Sequence, residues 1–213
     1  MTARIDDAKL TEMGYFSTKG GKILILACGA LAHEILAVIK TGGWEHVSLA
    51  CLPAILHNHP EKIAPEVEKA LIKHAPNFDR IFVAYADCGT GGALERVCQA
   101  HGVEMIRGPH CYAFFEGVDT FTARDEIDAF YLTDFLARQF DAFVWKPLGL
   151  DRHPELRDMY FGHYRTLVYL AQTDDPALDA RAADCAARLG LAYERRFTGY
   201  GDLTPAITGA VQG

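Results

Sequence analysis

Short apolar runs recur along the chain at Ile23–Ala27, Val47–Ala50, Ile81–Ala86, Val103–Ile106, Phe143–Trp145 and Leu167–Ala171, with a weaker one at 191–193. Most are too short for helices and are rich in Ile, Val, Phe and Tyr, which predicts buried parallel strands. The intervening segments carry apolar residues at helical spacing. Residues 30–41 place Leu31, Ile35, Val38 and Ile39 on one side and stop at Gly42-Gly43. Residues 65–74 and 92–101 behave alike, the latter ending at Gly102. The spacing of Ile127, Phe130, Tyr131, Phe135 and Leu136 predicts a longer amphipathic helix over 125–140. Pro154 and Pro176 open two further predicted helices, 154–164 and 176–189.

Strand and helix thus alternate, which predicts an α/β fold: a doubly wound, mostly parallel sheet with helices on both faces. It is Rossmann-like in class but has no dinucleotide fingerprint, because no GxGxxG follows the first strand. No Pro/Ser-rich linker interrupts the 213 residues, so one domain over 1–213 is expected, with 1–20 as an N-terminal extension.

Composition narrows the partners. The 213 residues are 50% hydrophobic and carry a net charge of -7 with scattered basic residues, which gives no footprint for nucleic acid. The polar, mixed-charge start does not look like a secretory signal, and no run reaches the ~18 apolar residues of a membrane span. A cytoplasmic protein acting on a small molecule, without membrane or nucleic acid, is the expectation. Its six cysteines should then stay reduced, as packing residues, nucleophiles or metal ligands.

Four of them sit just after predicted strands: Cys28, Cys51, Cys88 and Cys111, with a step of 23 residues from Cys28 to Cys51 and again from Cys88 to Cys111. The carboxyl ends of parallel strands are where open α/β sheets bind ligands. All four are therefore candidate metal ligands, with zinc the best fit and an iron–sulfur cluster the alternative. Strand tips stand about 4.8 Å apart, so one small ion cannot collect four thiols unless the loops fold inward. Strand order decides which thiols are neighbours. If the first four strands lie in the order 2-1-3-4, Cys28 and Cys88 adjoin and Cys51 lies on the far side. Cys98 and Cys185 fall within helical segments and read as packing residues.

Other candidates cluster nearby. Gly29 allows a sharp turn after Cys28, and a thiol at a helix start is favoured as thiolate. Gly89, Thr90 and Gly91 form a loop whose N–H groups suit an anion. Glu34, His57 and Asp87 are candidates for moving protons. If no metal is bound, Cys88 beside Asp87 is the expected nucleophile; a non-catalytic accessory or binding protein is the third possibility.

Taken together, Cys28-Gly29-Ala30-Leu31, Asp87-Cys88-Gly89-Thr90-Gly91, Gly108-Pro109-His110-Cys111-Tyr112 and Tyr160-Phe161-Gly162-His163-Tyr164 resemble a bacterial and archaeal family known mainly as a domain of unknown function. The resemblance implies a setting near corrinoid-dependent methyltransferases, hence one-carbon metabolism and a corrinoid or methyltransferase protein as partner. The chain has no Asp-x-His-x-x-Gly corrinoid ligand motif of its own.

Overall fold

The structure is a computed structural model that describes residues 7–17 and 21–213. They form an α/β protein whose parallel strands are shared between two sheets. The residues group into two compact units, 1–114 with 202–213, and 115–201. A linker of distinctive composition is the usual sequence sign of such a division, and this chain has none.

In the first unit, helix α1 (Asp7–Met13) and the short strand β1 (Gly14–Tyr15) lead into β2 (Ile23–Cys28), α2 (Ala32–Thr41) and β3 (Val47–Leu52). Then follow α3 (Pro60–His74), β4 (Arg80–Ala84), α4 (Ala93–Ala100) and β5 (Glu104–Met105). The sheet order is β1-β3-β2-β4-β5, with only β1 antiparallel to its neighbour. The parallel part therefore has the 2-1-3-4 arrangement that makes the ends of β2 and β4 neighbours. Leu24, Leu26, Leu49 and Val83 of the strands and Ile35, Ile63, Val67 and Leu94 of the helices are all buried.

Within the segment 1–20, residues 7–17 pack onto the first sheet. Leu10 is fully buried, α1 packs on β3, and β1 pairs Gly14 with Ala50 and Tyr15 with Leu49. Residues 1–6 and 18–20 of that expected extension lie outside the described residues.

The chain enters the second unit within the short helix α5 (Ala113–Glu116) and continues through α6 (Val118–Arg124). Strand β6 (Ala129–Thr133), α7 (Asp134–Phe140), α8 (Arg157–Phe161), β7 (Thr166–Ala171), α9 (Pro176–Leu189) and β8 (Ala192–Phe197) build it around a parallel sheet of order β6-β7-β8. Two expectations are corrected here. The single helix over 125–140 is instead strand β6 joined directly to α7. Thr133 ends the strand and caps the helix, its side chain accepting from Leu136 N, so no Gly or Pro marks the boundary. The strand expected at Phe143–Trp145 is a π-helical continuation of α7, with Val144 buried among Phe140, Leu150 and Leu189 and Phe143 packed edge-on to Phe135. The chain then returns to the first unit, where Asp202 N donates to Phe114 O and helix α10 (Leu203–Gln212) packs on α2. Among the described residues no helix is long and apolar enough to cross a membrane.

Candidate metal centre

Three loops at the carboxyl ends of the first sheet converge. Cys28 is the last residue of β2, and a turn of 3-10 helix follows it directly. Gly29 is required there by close approach: a Cβ would lie 1.9 Å from the carbonyl oxygen of Thr11. That packing, rather than contact with a cofactor, is the role the structure gives Gly29.

His57 sits in the short 3-10 helix between β3 and α3, and its Nδ1 lies 3.7 Å from the Cys28 sulfur. Beyond β4 the chain runs through Tyr85 to Cys88, which occupies the left-handed region at φ 48°, a conformation costly for a residue with a Cβ. Backbone bonds lock this loop to the one after β5: Asp87 N donates to Gly108 O and Cys88 N to Pro109 O. The consequence is that the Cys88 and Cys111 sulfurs lie 3.3 Å apart. Ligand atoms of His57, Cys88 and Cys111 all fall within 4.8 Å of one another.

The remaining candidates are placed elsewhere or are already engaged. Cys51 pairs with Ala27, one place back from Cys28, so the strand pleat turns its side chain to the opposite face from Cys28. It lines a separate cavity of about 290 Å³ with Phe16, Lys69 and His74, and burial pushes its thiol far up. Glu34 is buried in the first turn of α2 and is outside the gathered set. Asp87 accepts from Thr90 Oγ1 at 2.6 Å, Gly92 N at 2.7 Å and Gly91 N at 3.2 Å. Those bonds, that of Thr90 foremost, hold its carboxyl below the usual range. The loop of Gly89, Thr90 and Gly91 thus uses its donors on an internal carboxylate, where an external anion was expected. Asp87 shapes the loop that carries Cys88. Cys98 and Cys185 are buried in α4 and α9, and burial pushes both thiols up to about 11, as packing residues should be.

Charge in the cluster is divided unevenly. The Cys111 thiol, which offers its hydrogen to the Cys28 and Cys88 sulfurs, is held protonated, its own pKa raised well above the ordinary value. Those same bonds, opposed by burial and helped by His57, hold Cys28 well below the thiol range and Cys88 down to about 5. Burial lowers His57, but hydrogen bonds and charge from Cys28 and Cys88 outweigh it and push the imidazole up to about 11. His57 is itself exposed, so only its sulfur-facing edge is sheltered. Without metal the cluster is a set of thiolates balanced by an imidazolium, a donor set that a soft divalent cation fits.

Tyr85 went unnoticed in the sequence. It is fully buried, stacks on His57 with ring centroids 6.4 Å apart, and its hydroxyl has no hydrogen-bond partner among the described residues. Burial first, then the fields of Cys28 and Cys111 and an attraction of the hydroxyl to the Cys28 sulfur that falls short of a full hydrogen bond, push its phenol strongly up. Leaving such a group unpaired costs about 1–3 kcal/mol. Its place is visible only in the paired strands: Ala27 pairs with Ala84, so continuing the register sets Tyr85 level with Cys28.

Fold and site together define an α/β protein with a cysteine and histidine cluster at its strand tips. The chain belongs to a family of unknown function, DUF1638, whose model matches residues 51–207. The match covers His57, Tyr85, Cys88 and Cys111 and begins beyond Cys28. No curated protein and no solved structure matches the chain.

Proposed function

We propose that the cluster binds one transition metal ion, zinc in the simplest case, through His57, Cys88 and Cys111, and that the protein is an enzyme acting on a small polar, sulfur-containing or methylated substrate. The observation that carries this reading is the mutual approach of three ligand atoms, from three loops, to within 4.8 Å. Two sulfurs and one imidazole nitrogen form a set that suits a catalytic zinc, which keeps a place for substrate. A metal there would act as a Lewis acid, lowering the pKa of a bound thiol or water. His57 supplies nitrogen, the Asp87 loop sets Cys88, and Cys28 adds a nearby negative charge. Three gathered thiols with Cys51 turned away favour a single ion over a four-thiolate iron–sulfur cluster. The family resemblance suggests that the chemistry serves corrinoid-linked one-carbon metabolism, with a corrinoid or methyltransferase protein as partner.

Elemental analysis of purified protein, before and after zinc reconstitution, tests the proposal. About one equivalent in the wild type is expected; less than about a tenth of an equivalent after reconstitution would sink it. A second reading rests on the low Cys88 pKa beside His57: a metal-free thiolate nucleophile. It requires fast alkylation of Cys88 in protein that takes up no metal.

A further inference from the structure

We infer that the ligand completing the metal site comes from outside the protein, and that the Tyr85 hydroxyl donates a hydrogen bond to it. This rests on the metal reading above and adds a ligand class: a small anion or neutral molecule that offers a lone pair to the metal and a further lone pair to the phenol.

Among the described residues of the first unit Tyr85 is the only fully buried tyrosine side chain, and it stacks on His57 of the cluster. Its ring is fixed by stacking on His57, and its height in the sheet is fixed by the β2–β4 register beside Cys28. A phenol held from two sides has little freedom to seek a partner elsewhere. Other buried tyrosines in this protein are paired: Tyr169 donates to Asp134 at 2.7 Å and Tyr131 to Glu126 at 2.6 Å. Within the cluster, His57 Nδ1 is turned to Cys28 and the Cys88 and Cys111 sulfurs to each other. Of these groups only the Cys28 sulfur attracts the phenol hydrogen, and no hydrogen bond of full geometry forms. Buried hydroxyls of folded proteins find partners in the great majority of cases, and the missing acceptor is supplied here by the bound molecule. Second-shell donors of this kind orient what a metal holds and tune its reactivity.

The probe is azide added to full-length protein loaded with cobalt(II), whose visible bands report on coordination. In the wild type azide should shift those bands to saturation. Tyr85→Phe should take up the same cobalt and bind azide about tenfold more weakly, a change of about 1.4 kcal/mol. Because the hydroxyl has no partner, metal-free Tyr85→Phe should melt no lower than the wild type. The inference is overturned if azide leaves the loaded wild type unchanged, as a site closed by Cys28 would. It is equally overturned if the variant binds azide within twofold of the wild type, or if it loses its fold. Failure of the wild type to take up cobalt would remove the metal reading as well, and that outcome is distinct from the others.

Discussion

The two sheets of this protein each bury ionisable side chains at the carboxyl end of a strand, and they deal with them in opposite ways. At the end of β6 the fully buried Asp134 is satisfied on every side. Its carboxylate accepts from Tyr169 Oη, Gln172 N, Thr173 N and Thr173 Oγ1, and its own N–H donates to Gln172 Oε1. At the ends of β2 and β4 the thiols face one another and His57, while the Tyr85 hydroxyl is left without an acceptor. A closed network needs nothing from outside and reads as architecture. An open one, made of groups that ligate metals, reads as a place for a ligand. The difference lies in hydrogen-bond satisfaction, not in burial, since Asp134, the three thiols and Tyr85 are all buried.

Substitutions sharpen this contrast. The largest effect should come from Cys88→Ser or Cys111→Ser, each of which should abolish stoichiometric metal uptake measured by elemental analysis while circular dichroism stays close to the wild type. Retention of a full equivalent by either variant would break the assignment of ligands. Next in size is Asp134→Ala, which strands four donors and should cost about 3 kcal/mol or more in urea denaturation. A loss below about 1 kcal/mol would mean that the network is less closed than its geometry says.

The pH dependence of the metal-free protein is a subtler test. Cys88 falls from 9.0 to about 5 on folding, so its contribution grows as pH rises above about 5 and is complete above 9. His57 rises from 6.5 to about 11, so its contribution is complete below 6.5 and is lost as pH climbs toward 11. Because each partner shifts the other, subtracting the stability of His57→Asn from that of the wild type, pH by pH, should give a difference that grows from about pH 5 to 6.5, stays level to about 9 and declines toward 11. A difference independent of pH would contradict the thiolate–imidazolium pairing. The smallest effect belongs to Cys51→Ala, which should keep its metal equivalent in full; loss of metal there would return Cys51 to the site.

How much of this was legible in the sequence depended on how each boundary is made. In the first half the strands end at Cys28-Gly29 and Cys88-Gly89, and Gly42-Gly43 and Gly102 stop the helices, so the alternation of elements could be read directly. The same punctuation brought Cys28, Cys88 and Cys111 forward as candidates, and the dependence of their pairing on strand order could be stated in advance. In the second half β6 runs into α7 through Thr133, whose extended backbone and capping side chain leave no glycine or proline to mark the change. The aromatic residues of β6 then merge with those of α7 into one apparent helical stripe. The face of Cys51 was hidden for a different reason: a one-residue step in register reverses the direction of a side chain, and register is a property of the paired strands. Tyr85 was hidden because a tyrosine among apolar strand residues resembles any core residue until its hydroxyl is followed to a partner. Asp87, conversely, looked like a proton carrier, and only its bonds to Thr90, Gly91 and Gly92 reveal a loop organiser.

X-ray absorption at the zinc edge of the reconstituted protein tests the central claim most directly. One equivalent of zinc with sulfur scatterers at about 2.3 Å and a nitrogen of imidazole at about 2.0–2.1 Å is the predicted first shell. A shell of light atoms alone, or no bound zinc, would contradict it.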